Sequence, residues 1–261
     1  WSLRMDLQIK NKNALITGGS RGLGKAAALH LAQEGVNVSI CGRSSEDLAS
    51  TAKEIENCGV SAYTFICDVS DLDALAQMHN SAVEAMGSID ILVNNVGGAK
   101  SREGLEGTSV DDFKGTFDLN VFSAFELMKL VTPEMKNKQW GRIVNIASIW
   151  GKEYGGNISY MTAKAALIAA TKSAARELAK NGITINSVAP GSILHAGNNW
   201  EKMITENSEE FVQDFIAQNL PMGKFGWPEA VGNLIAYLCS DGAGLITGSC
   251  VGIDGGQSYS L

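Results

Sequence analysis

The sequence predicts an α/β fold in which a parallel sheet is covered by helices on both faces. Short apolar or β-branched segments alternate with helix-length segments, and several of the short ones are apolar throughout, as strands buried on both faces are. Repeated β-α units of this length give parallel strands joined by right-handed crossovers. Four glycines (Gly35, Gly59, Gly87 and Gly182) follow helical segments and precede strands, which is the pattern of helix ends.

These patterns place seven strands and six long helices. The predicted strands are residues 14–17, 36–41, 62–67, 89–94, 141–147, 183–189 and 249–253. The predicted helices are residues 23–33, 46–57, 72–86, 110–136, 160–180 and 229–240. Because neither a Pro/Ser-rich linker nor an internal repeat divides the chain, we expect one domain over residues 5–261, with residues 1–4 a remnant of expression cloning. The polar segment 191–226 is the irregular part, and we expect it to form a short helical lid over the substrate.

Composition excludes several functional classes. A formal net charge of −7 with no basic run argues against binding to nucleic acid. The five cysteines are scattered and share no metal-ligand spacing with the three histidines, so we expect no metal and a reducing, cytoplasmic location. No apolar stretch has membrane-spanning length and no signal-peptide pattern opens the chain, so we expect no membrane association.

A glycine turn follows the first strand, with the sequence Thr17-Gly18-Gly19-Ser20-Arg21-Gly22-Leu23-Gly24. Glycines let the backbone approach a pyrophosphate, which binds at the helix N-terminus where amide N–H groups are free. Glycines also occur in many purely structural turns. Here the turn lies between a strand and a helix and a second strand follows, so we interpret it as a dinucleotide site.

The end of the second strand indicates which dinucleotide binds. An acidic residue about 20 positions beyond the turn would accept a ribose hydroxyl of NAD, whereas arginine accommodates a 2′-phosphate. The sequence Cys41-Gly42-Arg43-Ser44-Ser45 contains no acidic residue before Glu46, and Arg21 offers a second guanidinium. We therefore expect NADP(H) to be preferred over NAD(H), the alternative being that both arginines are solvated surface charges.

Polar residues also end the third and fourth strands. Asp68-Val69 and Asn94-Asn95-Val96-Gly97 lie at the carboxyl edge of the sheet, where ligands bind in open α/β folds. Asp68 can accept a hydrogen bond from the adenine amino group or cap the following helix, for which Ser70 and Asp71 are equally suitable.

The pair Tyr160 and Lys164 indicates the chemistry. Four residues apart on a helix, the two side chains share a face. A nearby cation favours the phenolate, so we expect the Tyr160 pKa to fall from about 10 towards neutrality. A tyrosine that exchanges a proton beside a nicotinamide would serve hydride transfer between a carbonyl and an alcohol.

From Met5 onward the chain resembles the short-chain dehydrogenase/reductase family. The residues that carry the resemblance are the turn at 17–24, Asp68, the Asn-Asn-x-Gly sequence at 94–97, Asn120, Ser148, Tyr160, Lys164, Pro190-Gly191 and Asp254-Gly255-Gly256. It implies a Rossmann sheet of seven strands in the order 3-2-1-4-5-6-7. Val96 departs from the more usual alanine, and the interval from Ser148 to Tyr160 is one residue shorter than in many relatives, which puts Ala147 in a nearby register.

The resemblance implies a catalytic set of four residues. Tyr160 donates the proton in the reductive direction, and Lys164 binds the nicotinamide ribose and lowers the phenol pKa. Ser148 polarises the substrate carbonyl, and Asn120 orders a water that links Lys164 to solvent; alternatively, Asn120 is only a polar break in a long helix. Together, pattern and resemblance predict the cofactor-binding residues Gly18, Ser20, Arg21, Gly22, Leu23, Gly24, Arg43, Ser44, Asp68, Val69, Asn95, Val96, Gly97, Tyr160, Lys164, Pro190, Gly191 and Ile193.

The substrate is less defined by the sequence. Residues 220–229 are similar to those of 3-oxoacyl-acyl-carrier-protein reductases, and Lys129 and Arg176 fall where those enzymes carry basic residues facing the carrier. The resemblance also implies a homotetramer. A sugar or polyol dehydrogenase is the main alternative, and an NADP-binding sensor without catalysis is a further one. Trp150, Tyr154 and Trp200 either line the substrate pocket or make subunit contacts, and we expect the loop residue His195 to contact substrate or water.

Overall fold

The computed structural model describes residues 6–261 and contains a seven-stranded parallel sheet in the order β3-β2-β1-β4-β5-β6-β7. Its strands are β1 (Asn13–Thr17), β2 (Asn37–Gly42), β3 (Ala62–Ile66), β4 (Ile91–Asn94), β5 (Gly141–Ile146), β6 (Ile183–Pro190) and β7 (Cys250–Ile253). The predicted fold class and strand order are confirmed, and strand ends differ from the predicted ones by at most two residues. The prediction for residues 1–4 lies outside the described residues.

Helices flank the sheet on both sides. They are α1 (Gly22–Gln33), α2 (Ser45–Glu56), α3 (Leu72–Met86), α4 (Val110–Phe117), α5 (Ser123–Lys138), α6 (Ile158–Leu178), α7 (Asn199–Glu206), α8 (Glu209–Asn219) and α9 (Pro228–Leu238). The four glycines predicted at helix ends all have positive φ, between 70° and 84°, a conformation that glycine adopts without steric cost. None of the helices within residues 6–261 is both long enough and apolar enough to cross a membrane.

The sheet separates two apolar cores. On β1, Ala14 and Ile16 pack into one core, together with residues of α1 and α9, while Leu15 packs into the other with residues of α3, α5 and α6. This alternation follows from the opposite directions of successive side chains on a strand. Every residue of β5 and β6 is buried, so both faces of the centre of the sheet are covered, as the sequence pattern predicts, with polar side chains such as Arg142, Asn145 and Asn186 among the buried residues.

One predicted helix is interrupted. Residues 110–136 were expected to form a continuous helix, but a π-helical turn, Asp118–Phe122, separates α4 from α5. The side chain of Asn120 donates from Nδ2 to the carbonyl of Thr116 at 2.7 Å, competing for an acceptor that a regular α-helix would give to a backbone amide. Such single π turns often occur at functional sites.

Segment 191–226 crosses the carboxyl edge of the sheet and contains α7 and α8. It is helical, as expected, but little of it is buried: α7 has no buried residue and α8 has only Val212. Its packing depends on three rings, since Trp200 lies 5.4 Å from Phe215 and 5.6 Å from Phe225 between ring centroids.

Candidate active site

The glycine turn between β1 and α1 is closely packed on its own backbone. A Cβ atom on Gly24 would lie 2.2 Å from the carbonyl oxygen of Gly18, and one on Gly19 would lie 2.4 Å from Cγ2 of Ile40. Gly18 and Gly22 have φ of 62° and 55°, which side chains disfavour. This turn is a cradle whose shape requires glycine, with the N-terminus of α1 at its side, and it therefore fits the pyrophosphate of a dinucleotide.

The end of β4 is attached to this turn. Oγ1 of Thr17 accepts hydrogen bonds from the backbone N–H of Asn95 (2.9 Å) and Val96 (3.1 Å). In return, Nδ2 of Asn95 donates to the carbonyl oxygens of Thr17 (2.9 Å) and Gly18 (3.2 Å). These bonds fix the Asn-Asn-x-Gly segment against the cradle, so two strand ends form one rigid floor.

A cleft with a cavity volume of about 1480 Å³ extends along this edge of the sheet. Both arginines expected at the 2′-phosphate, Arg21 and Arg43, line it. The predicted cofactor-binding residues in its lining are Gly18, Ser20, Arg21, Leu23, Arg43, Ser44, Asp68, Val69, Asn95, Val96, Gly97, Tyr160, Lys164, Pro190, Gly191 and Ile193. Gly22 and Gly24 are absent from the lining, as is Asn120 of the expected catalytic set. Gly24 instead packs against the turn, and the imidazole of His195 covers Gly22, where an added Cβ would lie 2.6 Å from Cε1.

Asp68 and Ser44 have additional local partners. Asp71, not Asp68, caps α3, because its Oδ1 accepts from the backbone N–H of Asp73 and Ala74. Hydrogen bonds from the hydroxyl and backbone N–H of Ser70 lower the pKa of Asp68, so its carboxylate faces the cleft in the charged form. Ser44 caps α2 by accepting from the backbone N–H of Asp47 at 3.3 Å.

The four expected catalytic residues come from three different segments. Ser148 follows β5, Tyr160 and Lys164 lie on α6, and Asn120 lies in the π turn. The Ser148 hydroxyl lies within hydrogen-bonding reach of the Tyr160 side chain, which acts to lower the phenol pKa. The structure thus places Ser148, rather than the side chain of Ala147, beside the phenol.

Lys164 and Asn120 meet at Gly97. A Cβ atom on Gly97 would lie 2.6 Å from Nζ of Lys164 and 2.8 Å from Oδ1 of Asn120. Nζ of Lys164 donates to the carbonyl of Ile146 at 2.7 Å, and Nδ2 of Asn120 donates to the carbonyl of Gly98 at 2.7 Å. Asn120 therefore ties the helix to the loop after β4, and only glycine at position 97 leaves room for both side chains.

The protonation of the pair differs from the sequence expectation. Burial raises the pKa of Tyr160 to about 12, and the Ser148 hydrogen bond offsets only part of that rise. Burial also lowers the pKa of Lys164 to about 7. The expected fall of the Tyr160 pKa is therefore wrong for this structure. The Lys164 ammonium donates its hydrogen bond to the Ile146 carbonyl and not to the phenol, and its nitrogen lies 5.5 Å from the centroid of the phenol ring. The ammonium is also desolvated, so it does little to stabilise a phenolate.

One residue that positions Tyr160 is not among those predicted from the sequence. Asn157 caps α6, and its Oδ1 accepts from the backbone N–H of Tyr160 at 2.9 Å. The signal was present, since asparagine is a preferred N-cap residue, but the helix was predicted to begin at Tyr160 and not at Ile158.

Part of the cleft lining is aromatic, and polar segments of chain meet there. Trp150, Tyr154 and Trp200 all line this part, with Tyr154 91% exposed. Arg102 donates from Nη2 to Oδ1 of Asn199 at 2.5 Å, which joins the loop after β4 to the start of α7. Within residues 6–261 there is no group of three or more His, Cys, Asp or Glu side chains able to hold a metal ion.

Comparison with known proteins gives consistent matches. The family model of short chain dehydrogenases matches residues 12–219. The 3-oxoacyl-acyl-carrier-protein reductase FabG of Staphylococcus epidermidis is 36% identical over 249 residues, which cover 95% of this chain and 99% of that protein. The L-sorbose reductase of Gluconobacter frateurii, solved with NADPH and L-sorbose, superimposes with a TM-score of 0.92 at 30% identity, covering 98% of this chain and 100% of that one. A 7α-hydroxysteroid dehydrogenase, solved with NADH and 7-oxo glycochenodeoxycholic acid, gives a TM-score of 0.88 at 30% identity, covering 98% of each chain.

Proposed function

Because the chain belongs to the short-chain dehydrogenase family, we propose that it interconverts a ketone and a secondary alcohol with NADP(H), and that its substrate is a 3-oxoacyl thioester. The observation that carries this proposal is the grouping of the Ser148 hydroxyl and the Tyr160 phenol next to Lys164, in the cleft that the glycine cradle also lines. A carbonyl that accepts hydride develops negative charge on oxygen, and two hydroxyls directed at one point stabilise it.

Tyr160 acts as the acid in the reductive direction. With a pKa of about 12, its phenol carries a proton at neutral pH and can donate it to the forming alkoxide. Ser148 donates a second hydrogen bond to the same oxygen. Lys164, held by the Ile146 carbonyl, is placed to stabilise the tyrosinate that remains, and Asn120 fixes the adjoining loop through its bonds to Gly98.

Four residues of the glycine turn that line the cleft, Gly18, Ser20, Arg21 and Leu23, would hold the dinucleotide together with Val96 and Gly97. Bound NADP(H) supplies or accepts the hydride. Arg21 and Arg43 support the choice of NADP(H), because guanidinium groups that line the cleft suit a 2′-phosphate and no carboxylate lies between Cys41 and Glu46. The NADPH complex of the sorbose reductase supports this choice, and the NADH complex of the steroid dehydrogenase makes NAD(H) the alternative to test.

The 3-oxoacyl thioester rests on the FabG relatives, which match almost the whole chain at 36% identity. A sugar or polyol substrate is the second candidate, supported by the sorbose reductase. A docking surface for an acyl carrier has weaker support, because Nζ of Lys129 is paired with Glu126 at 2.8 Å and so offers less charge to an acidic partner.

The assay that tests the proposal measures ketone reduction with both cofactors. Straight-chain 3-oxoacyl thioesters, ketoses and simple ketones are compared, each with NADPH and with NADH. We expect NADPH to be preferred by at least about tenfold and thioesters to give the highest kcat/KM, since charge-assisted bonds to a phosphate contribute on the order of 2 kcal/mol. A tenfold preference for NADH would overturn the cofactor assignment, and turnover of ketoses alone would favour the second candidate.

We further propose that residues 5–261 act as one domain, that segment 191–226 closes over the substrate, and that the enzyme is a cytoplasmic homotetramer. The exposed Phe122, at the end of the π turn, and the exposed Phe125 after it support an association surface. The free state of all five cysteines supports a reducing compartment. Light scattering of the purified protein measures the assembly directly.

A further inference from the structure

We propose that Trp150 is the specificity-determining residue of the substrate site: its indole admits an unbranched or planar group beside the reacting carbonyl and excludes a branched one. This inference rests on the proposed function and narrows its substrate class. It follows from where the indole lies, what fixes it there and what shape it presents.

Trp150 contacts both residues whose hydroxyls would bind the carbonyl, Ser148 and Tyr160. It lies in the 3-10 turn Ile149–Gly151, two residues beyond Ser148, and its backbone N–H donates to the Ser148 Oγ at 3.2 Å. Its ring meets that of Tyr160 edge-on, with centroids 6.4 Å apart and an interplanar angle of 85°. Any substrate whose carbonyl oxygen contacts Ser148 and Tyr160 therefore brings its neighbouring carbon atoms to this indole.

Two glycines hold the indole in place from outside. A Cβ atom on Gly155 would lie 2.2 Å from both Cδ1 and Nε1 of Trp150, and one on Gly156 would lie 2.6 Å from Cε3. Gly156 also has φ of 70°, which disfavours a side chain at that position. The backbone at 155–156 thus packs directly across the ring, and the ring cannot swing outward without displacing it.

The turn that carries Trp150 is equally fixed on its inner side. A Cβ atom on Gly151 would lie 2.8 Å from the carbonyl carbon of Lys164 and 2.9 Å from Cδ1 of Ile168, so the turn packs closely on α6. The indole is therefore held between α6 and the 155–156 backbone. It does not depend on segment 191–226, whose helices are largely exposed.

A fixed flat surface selects by shape. A straight chain or a planar group lies along the indole with favourable contact, whereas a substituent branched next to the ketone would overlap the ring unless the ring moved. Pocket shape of this kind discriminates substrates by roughly 10–200-fold for small size differences.

The test uses a pair of N-acetylcysteamine thioesters, one a straight-chain 3-oxoacyl group and the other branched at the carbon next to the ketone. Wild type, Trp150→Ala, Trp150→Phe and Trp227→Phe are assayed with NADPH. We expect wild type to favour the straight chain in kcat/KM by about tenfold or more and Trp150→Ala to reduce this ratio at least about fivefold, through a lower KM for the branched thioester. The ratio for Trp150→Phe should fall between those of wild type and Trp150→Ala.

Trp227→Phe is the control, because Trp227 is 43% exposed, lies under Lys224 and is not part of the cleft lining.

An unchanged ratio in both folded Trp150 variants overturns the inference while leaving the proposed function intact. Absence of any ketone turnover by wild type overturns the proposed function, and the inference with it. If Trp150→Ala does not fold, Trp150→Phe and Gly155→Ala decide: the first removes part of the ring surface, and the second forces the indole to move, so each must change the ratio.

Discussion

The two ends of the cleft are built in different ways. At the cofactor end the surface is mainly backbone: Gly24 packs on the carbonyl of Gly18, and Thr17 and Asn95 join β1 to β4 by four hydrogen bonds. At the substrate end the surface is made of side chains, chiefly Trp150, and of a segment that buries little. The shape of a surface made of backbone cannot change without disrupting the fold, whereas a surface made of side chains changes shape when those residues are substituted. The difference indicates that the fold determines the reaction, and the side chains at the open end determine the substrate.

The largest expected effect lies at the boundary between the two ends. Tyr160→Phe removes the acid but keeps the ring that packs against Trp150, so we expect kcat to fall by about 10²–10⁴-fold. The NADPH dissociation constant, measured by fluorescence titration, should change by less than about threefold. Turnover at the wild-type level would contradict the role of Tyr160. NADPH binding by both proteins without turnover by either would indicate an NADP-binding sensor.

Changing one glycine of the cradle tests the backbone surface. Gly24→Ala places a methyl group 2.2 Å from a carbonyl oxygen, so we expect it to destabilise the protein by about 1–3 kcal/mol and to weaken NADPH binding. Urea unfolding and fluorescence titration measure the two effects. Gly252→Ala is the matched control, since nothing lies within 4 Å of its added Cβ atom and it should behave as wild type. Equal stability of the two variants would show that the cradle is less constrained than its geometry indicates.

Substitutions of two arginines of the cleft, Arg43 and Arg102, should separate effects on cofactor binding from effects on the substrate site. Arg43→Ala removes one guanidinium from the cofactor end, and we expect NADPH to bind about tenfold more weakly while NADH binding stays the same. Arg102→Ala, at the bond to Asn199, should leave the preference between the two cofactors unchanged. Isothermal titration with both dinucleotides measures this contrast. A parallel loss of NADH affinity in Arg43→Ala would indicate that the side chain does not recognise the phosphate.

The pair on α6 should determine the pH dependence of reduction. We expect the active form to have Tyr160 and Lys164 both protonated, because the Tyr160 pKa of about 12 keeps the phenol protonated, while the Lys164 pKa of about 7 means that the ammonium loses its proton near neutrality. Because the protonated form is needed, kcat/KM for ketone reduction should be level below about pH 7 and fall by up to about tenfold per unit above it. A profile that rises with pH in this direction would contradict the assignment. The residual activity of Lys164→Met should not show this fall above pH 7.

The smallest effect is expected in segment 191–226. Trp200→Ala removes the ring that packs on Phe215 and Phe225, so we expect the KM for substrate to rise a few-fold and amide exchange in α7 and α8 to accelerate. The midpoint of global thermal unfolding should move little, because these helices contribute almost no buried residues. A large fall in that midpoint would mean that the segment belongs to the cooperative core.

The sequence predicted most of the fold because each strand and helix carries a local signal. Segments such as 14–16 and 91–93 are apolar throughout since both faces of the sheet are covered, and glycines with positive φ end the helices. The π turn at Asp118–Phe122 was missed because it depends on the Asn120 side chain, whose bond to Thr116 competes with the helix and whose bonds to Gly98 come from a distant loop. Asn157 was missed for a simpler reason, a helix start placed two residues late.

Periodicity and spacing in the sequence alone therefore predicted the strands, the helices and the glycine cradle, and the resemblance to the short-chain dehydrogenase family implied the strand order and the pair Tyr160 and Lys164. Three features were decided only by the tertiary structure: the protonation of Tyr160 and Lys164, the covering of Gly22 by His195, and the fixed position of Trp150. The physical reason is the same for all three. Desolvation and close packing depend on which distant segments surround a side chain, and no local pattern of residues records that.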